Sequence, residues 1–513
     1  MEQIFESVKE IEKKLAPFLS SDENTAEFLM IENAAASLEK QVDKFCSKKN
    51  NSVIIMCGSG NNGADGYTLA RRIERKHSVC IIMTDEPSSY CCKKAFKNIK
   101  PLFDDSIKLF ELKEEIKNSK IEKEINGADV IVDCIFGTGF HGLVEQKIQN
   151  LFKIVNHSDA KRIACDIPSG IEKTCGSISG FSMQDKKHHV FCADVTVSMG
   201  AFKTGLFCDD AKDFVGKIIK AGIGVSSERF TECAEKIKEK IFLLEKSDAQ
   251  FPERNELNTH KGKFGHVCVV TGDKKGAGVL CASSAFKCGA GLSSILVKPD
   301  VKSKEDIEIK MPACLMVCDS IPQKTACLVA GPGFGRDGDI KPYLDYAEKN
   351  CVPIVLDADS FYYKETADFI AHAGSGQTDD MQSHKIVLTP HPKEFSELLK
   401  ICALGDYSIS DVAQKRLELV RLFCQKYQNA VLILKGANTF IGYKNNVYIC
   451  DKGSPALSKG GSGDVLAGAV AGLLAQGYDA LDAAVTGVLM HALASTKFKK
   501  TYALTPEALI EEL

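Results

Sequence analysis

The stretch Lys459-Gly460-Gly461-Ser462-Gly463-Asp464-Val465 holds residue types that phosphate chemistry uses. It follows an apolar run, Val447-Tyr448-Ile449-Cys450, that reads as a strand, and it opens a long apolar segment. Its glycines and serine let the backbone come close to a ligand. A helix starting near Asp464 aims free N–H groups and the positive end of its dipole into that loop. This suits a phosphate, or the charge that develops while one is transferred. A carboxylate repels a phosphate, so Asp464 reads either as a base that takes a proton from a hydroxyl or as the N-cap of the helix. On this stretch alone both readings stay open.

A second set of polar loops lies in the first half. Cys57-Gly58-Ser59-Gly60-Asn61-Asn62-Gly63-Ala64-Asp65-Gly66 contains a G-x-G-x-x-G after an apolar run, and Asp85 ends the next strand, as in a dinucleotide fingerprint. Its amide and carboxylate oxygens also suit a hard cation. Asp133-Cys134-Ile135-Phe136-Gly137-Thr138-Gly139-Phe140-His141-Gly142 and Asp166-Ile167-Pro168-Ser169-Gly170 follow two more strands and should reach the same sheet edge. Asp at a strand end is more often a turn residue, but three such loops in one sheet favour a site.

These loops need elements to hold them. Apolar runs at 52–57, 79–83, 129–132, 162–165 and 193–197 alternate with helical patterns, as do 266–270, 326–329, 353–356, 386–388 and 431–434 in the second half. Such alternation predicts an α/β fold with mostly parallel sheets and helices on both faces. Residues 1–50 read as helical, 93–123 as solvated helices and 371–383 as a surface loop. Glycines vanish between about Val225 and His260, which sets the expected domains at 1–224 and 225–513.

At 513 residues the chain is long enough for two or three domains, and 44% hydrophobic with 26% charged residues is ordinary for a soluble protein. A net charge of −3 gives no reason to expect a nucleic-acid partner. The mixed, charged N-terminus is not a signal peptide, and the apolar run Val465–Ala475 falls short of the ~20 residues that span a bilayer. A cytoplasmic protein with no membrane partner is expected, assembled with copies of itself. The 21 cysteines are scattered and read as reduced core thiols, and His188-His189 lacks metal-ligand spacing.

The combination C-G-x-G-N-N-G-x-D-G, D-x-I-F-G-T-G and D-I-P-S-G resembles the NAD(P)H-hydrate epimerase domain, a Rossmann-like three-layer sandwich. The chain departs from it at Ala64, where a glycine is usual. The resemblance implies that Asn61, Asn62, Gly63, Ala64 and Asp65, with Gly137, Thr138, Gly139, Phe140, His141, Gly142 and Leu143, hold the hydrated nucleotide. It implies a K+ site at Asn62, Asp133 and Ser169, and substrate contact and acid–base work at Asp166. In the second half, His260-Lys261-Gly262-x-x-Gly265-His266, Gly331-Pro332-Gly333-x-Gly335, Leu356-Asp357-Ala358-Asp359, Leu388-Thr389-Pro390-His391-Pro392-x-Glu394, Leu434-Lys435-Gly436 and Gly460-Gly461-Ser462-Gly463-Asp464 occur in order. Together they resemble the ADP-dependent NAD(P)H-hydrate dehydratase of the ribokinase-like fold.

That second resemblance implies that Ala277, Gly333, His391 and Asp464 hold the hydrate. Lys435, Gly436, Ala437, Asn438, Thr439 and Gly463 would hold ADP, the phosphoryl donor, with Mg2+. Asp464 would be the base. The two resemblances together cover nearly the whole chain and point to the bifunctional repair enzymes of NADHX and NADPHX, the hydrated nucleotides. His391 is alternatively a turn residue between prolines, and Glu394 a helix cap. Rival readings are a ribokinase-like small-molecule kinase with an accessory N-terminal dinucleotide- or RNA-binding domain, and, resting on G-x-G-x-x-G alone, a dehydrogenase.

Overall fold

The computed structural model describes residues 1–513 except 47–49, 104, 114–118, 179–185, 236–238, 299–310 and 375–384. Two compact units emerge, Ile4–Lys238 and Met1–Gln3 with Glu239–Leu513. The first unit runs past the expected end at residue 224. The reason is the helix Ser227–Ala234, capped by Ser226, whose Phe230 and Ala234 sit in the first unit's core. Phe230 packs edge-on against Phe5, with ring centroids 5.7 Å apart.

Strand β1 (Glu2–Ile4) comes first in the chain, where a helix was expected to begin. The N-terminal unit then supplies β2 (Ser52–Cys57), β3 (Ser78–Met83), β4 (Ile107–Glu111), β5 (Val130–Cys134), β6 (Lys161–Cys165), β7 (Val195–Met199) and β8 (Lys217–Ala221). They form a sheet of order β4-β3-β2-β5-β6-β7-β8, parallel throughout. Val53 to Cys57 are all buried, as expected of a strand covered on both faces. β4 was expected to be helical. Its Ile-Lys-Leu-Phe-Glu sequence is instead a half-exposed edge strand, where lysine and glutamate are tolerated.

The C-terminal unit adds β9 (Ile241–Leu243), β10 (His266–Thr271), β11 (Leu292–Val297), β12 (Met316–Cys318), β13 (Cys327–Ala330), β14 (Ile354–Leu356), β15 (Ile386–Leu388), β16 (Ala430–Leu434), β17 (Thr439–Tyr443) and β18 (Asn446–Cys450). The sheet order is β1-β9-β18-β17-β16-β15-β14-β13-β10-β11-β12. It is parallel from β12 to β16, and β16, β17 and β18 then run antiparallel as hairpins. Of the loop expected at 371–383, residues 371–374 end the helix Lys364–Gly374 and the rest lie outside the described residues.

The helix Ser462–Ala475 is apolar all round and buried from Val465 onward. It lies against the helix Lys275–Lys287 at backbone contact. A Cβ on Gly468 would sit 2.1 Å from the Cys281 carbonyl oxygen, so only glycine allows the approach. Ser284 Oγ donates to the Val465 carbonyl at 2.6 Å. This contact fixes where the first turn of the helix, and with it Asp464, must stand.

Candidate active sites

In the N-terminal unit, chain order reverses between β2 and β5. The crevice beyond the carboxyl ends of strands at such a switch point is where open α/β sheets bind ligands. The loops after β2, β5 and β6 meet there. Asp133, fully buried on β5, accepts from Ser169 N–H at 2.7 Å, Ser169 Oγ at 2.8 Å and Ile135 N–H at 3.1 Å. Burial pushes its carboxyl up to about 6, and these three donors oppose the shift. Ser169 Oγ also accepts from Phe136 N–H, and Asn62 Nδ2 donates to the Phe136 carbonyl at 3.0 Å. Asn62, Asp133 and Ser169 are therefore brought together, around the Phe136 carbonyl.

The segment expected as a binding loop is largely helical, because the helix Asn61–Ile73 starts at Asn61. Gly63 and Ala64 are buried in its first turns, and Ala64 has an ordinary negative φ, so its side chain costs nothing there. Asn61 is tied at both ends: Nδ2 donates to Glu27 at 2.6 Å, and Oδ1 accepts from Ser89 at 2.7 Å. Asp65 is buried, with one oxygen facing Cys165 and the other without a partner. Burial, then repulsion from Asp166, pushes its carboxyl well up. The loop Gly137–Leu143 stays half open, with Phe136 stacked on Phe140 at 4.6 Å and Leu143 65% exposed.

Asp166 sits just past β6 in left-handed backbone, φ 66°. A non-glycine residue there is strained, a feature that clusters at functional sites. Its carboxylate accepts from Met199 N–H at 3.0 Å and pairs with Lys203 Nζ. Lys203 is fully buried and also donates to the Met199 carbonyl. Sequence reasoning missed Lys203. The available signal was a lysine in the apolar Gly200-Ala201-Phe202-Lys203 run just after β7.

In the C-terminal unit, Gly461 (φ 93°) is the N-cap of the helix Ser462–Ala475, and Asp464 occupies the third helical position. Asp464 is therefore not the cap. Among the described residues no hydrogen bond or ion pair engages its carboxylate. Burial, with repulsion from Asp357, pushes it up to about 7, against the pull of Lys435.

Facing Asp464 is a lysine among acids. Lys435, at the end of β16, donates to Asp357 Oδ1 at 2.8 Å and lies 3.7 Å from Glu394. Burial pulls its pKa down, but Asp357 and Glu394 more than offset this, and the net direction is up. Lys435 begins the turn from β16 to β17. The buried Arg416 holds that turn by donating to the carbonyls of Leu434 and Asn438, both at 3.0 Å.

His391 is the N-cap of the helix Pro392–Ile401 and forms a reciprocal box with Glu394. Glu394 N–H donates to His391 Nδ1 at 3.2 Å, and His391 N–H to Glu394 Oε2 at 2.8 Å. His391 Nε2 lies 3.2 Å from Glu394 Oε1. The cap reading of Glu394 thus holds as geometry, His391 is a helix N-cap and not a turn residue, and Glu394 also borders Lys435. Gly333 and Ala277 meet through Lys274, whose N–H donates to the Gly333 carbonyl at 3.2 Å and whose carbonyl accepts from Ala277 N–H at 3.1 Å. His491, also unforeseen, donates from Nε2 to the Ser462 carbonyl at 2.9 Å; burial lowers it to about 4, so it stays neutral.

The family model described as NAD(P)H-hydrate dehydratase matches residues 267–513, and that of the YjeF-related protein N-terminus matches 27–205. A bifunctional NAD(P)H-hydrate repair enzyme of Helicobacter pylori is 37% identical over 517 residues, covering 100% of this chain and 99% of that protein. One of the same description from Coxiella burnetii is 30% identical, covering 87% and 85%. A crystal structure of the ADP/ATP-dependent NAD(P)H-hydrate dehydratase from Bacillus subtilis aligns with a TM-score of 0.42 and 24% identity, over 51% of this chain and 91% of that one. Two polar sites on two α/β units, matched end to end by such relatives, lead to one conclusion: the chain belongs to the family of bifunctional NAD(P)H-hydrate repair enzymes.

Proposed function

We propose that the two units run successive steps of one repair. The N-terminal unit interconverts the (6R) and (6S) hydrates of NADH and NADPH, and the C-terminal unit dehydrates the (6S) form using ADP, releasing AMP and phosphate. The observation that carries this reading is Asp464: a half-buried carboxylate at a glycine-lined helix start, without a partner among the described residues and pushed up to about 7. It takes the proton of the C6 hydroxyl as that oxygen bonds to the β-phosphorus of ADP and AMP leaves. The C6–O bond then breaks, phosphate departs, and loss of a C5 proton restores the dihydronicotinamide. The N–H groups of the first turn have no intrahelical acceptor and stabilise the charge in flight. Ala277, Gly333 and His391 border the hydrate, while Lys435 to Thr439 and Gly463 border the nucleotide. Mg2+ brought with the nucleotide would neutralise phosphate charge there. Placement of the protein in the cytoplasm is part of this reading. No described helix is long and apolar enough to cross a membrane.

In the N-terminal unit, Asp166 is oriented by Lys203 and exchanges protons with the substrate while C6 inverts. The oxygens of Asn62, Asp133, Ser169 and the Phe136 carbonyl are hard donors that fit K+, which supplies a fixed positive charge at the crevice. Asp133→Ala should weaken epimerisation and abolish its stimulation by potassium; unchanged kinetics with and without potassium would remove the cation assignment. The whole reading is tested by incubating the protein with hydrated NADH and ADP and following the reduced-nicotinamide absorbance. Recovery of absorbance with stoichiometric AMP is expected. A stable phosphate ester instead would make the C-terminal unit a kinase.

A further inference from the structure

The helix Glu23–Phe45 packs along the helix Asn61–Ile73, and acids on the first meet arginines on the second. Glu32 pairs with Arg71 at 2.5 Å, and Glu39 with Arg72 at 2.8 Å. Glu27 lies four positions before the buried Ile31 and so shares its face of the helix. Among the described residues no ion pair engages it. Its Oε1 instead accepts from Asn61 Nδ2 at 2.6 Å, and its Oε2 from Cys91 Sγ at 3.4 Å. Burial raises the Cys91 thiol to about 12, so the sulfur is the donor.

Asn61 is exposed, and an exposed side chain ordinarily changes rotamer freely. This one is held from two other helices. Its Oδ1 accepts from Ser89 Oγ at 2.7 Å, and Ser89, the N-cap of the helix Tyr90–Ile99, takes the N–H of Cys92 at 3.2 Å. A carboxylate only accepts, so the amide nitrogen must face Glu27 and the amide oxygen Ser89. One N–H and one lone pair of Asn61 are left over, at the first turn of the helix beside the crevice.

We propose that Glu27 is a positioning residue of the epimerisation site, which with Ser89 aims the spare N–H and lone pair of Asn61 at the hydrated nucleotide. The proposal rests on the epimerase reading of this unit. Where its neighbours on the same helix hold arginines, Glu27 holds a neutral amide, and what is gained is orientation. A charge-assisted bond is the stronger kind, and an amide already aimed loses less freedom when substrate binds.

Glu27→Ala frees the amide, whereas Glu27→Gln keeps an oxygen that can accept from it. Epimerisation is measured on the (6R) hydrate and dehydration on the (6S) hydrate with the same protein. Glu27→Ala should raise KM for epimerisation roughly ten-fold, about the worth of one well-placed hydrogen bond, with kcat nearly kept. Glu27→Gln should restore most of that loss, and dehydration should be unaffected in both. Asn61→Ala should raise KM likewise, and adding Glu27→Ala to it should make nothing worse, because Glu27 acts through Asn61. Additive losses in the double variant overturn the proposal. So does a lower melting temperature with KM unmoved, which is what a merely structural tie would give. Wild-type kinetics in Asn61→Ala overturn it too, while leaving the epimerase reading intact. Failure of the wild type to epimerise the hydrate would instead sink that reading.

Discussion

Asp166 and Asp464 stand at comparable places, each beyond a strand end of an α/β unit, yet their surroundings differ. Asp166 is held in left-handed backbone and tied to a lysine with no exposure to solvent. Asp464 rides on a first helical turn with no partner among the described residues, and Lys435, the cation that acts on it, is bonded to Asp357. A paired carboxylate keeps its orientation, which suits proton exchange at a fixed ring carbon. A bare one near neutral pKa is poised to take a hydroxyl proton and to hold it through a transfer. The same side chain is thus given two tasks by its neighbours.

Breaking the pair should have the largest effect. Lys203→Met leaves Asp166 buried and uncompensated, which typically costs about 3–5 kcal/mol. Denaturant unfolding should show the N-terminal unit destabilised by that order and epimerisation lost, with dehydration of the (6S) hydrate persisting. Undiminished stability would mean that pairing is not what sets Asp166 apart.

Crowding the unpaired site comes next. A Cβ on Gly463 would lie 3.2 Å from Lys435 Nζ, and residue 463 has no positive φ to strain. Gly463→Ala should therefore lower kcat/KM for dehydration roughly ten-fold or more by displacing Lys435 and the nucleotide. Melting temperature and epimerisation should hardly move, and equal losses in both activities would blur the contrast between the sites.

The pH dependence sharpens the comparison with a smaller signal. With Asp464 pushed up to about 7, kcat/KM for dehydration should fall as pH drops below that value. A carboxyl whose folded pKa lies above its unfolded value subtracts stability as pH rises between the two. Asp464→Asn removes that penalty, so its melting temperature at neutral pH should match or exceed the wild type.

The strand-and-loop order was legible because apolar runs of three to six residues end in glycine-, proline- or aspartate-bearing loops, and the motif carboxylates lie where a switch-point sheet puts them. Three kinds of feature were not. β4 and β17 are short edge or hairpin strands whose polar residues mask their period. Asn61 to Asp65 read as a loop since two asparagines and a glycine disfavour a helix, but packing against β2 and β5 imposes one. Lys203 shows only as a lysine in an apolar run, and Arg416 and His491 carry no local pattern at all. Each is defined by a partner 18 to 37 residues away, which only the fold brings close. Burial of a cation beside a predicted carboxylate is a tertiary fact.

The central claim, two carboxylates for two reactions, is tested most directly with a mixture of (6R) and (6S) hydrate and excess ADP, followed by reduced-nicotinamide absorbance. The wild type should recover the whole signal. Asp166→Asn should recover the (6S) share at a normal rate and then stop. Asp464→Asn should recover almost nothing, its rate down roughly 10²–10⁴-fold as for a lost general base, while still equilibrating the epimers. Full recovery by Asp166→Asn at the wild-type rate, or near-normal turnover by folded Asp464→Asn, would contradict the account.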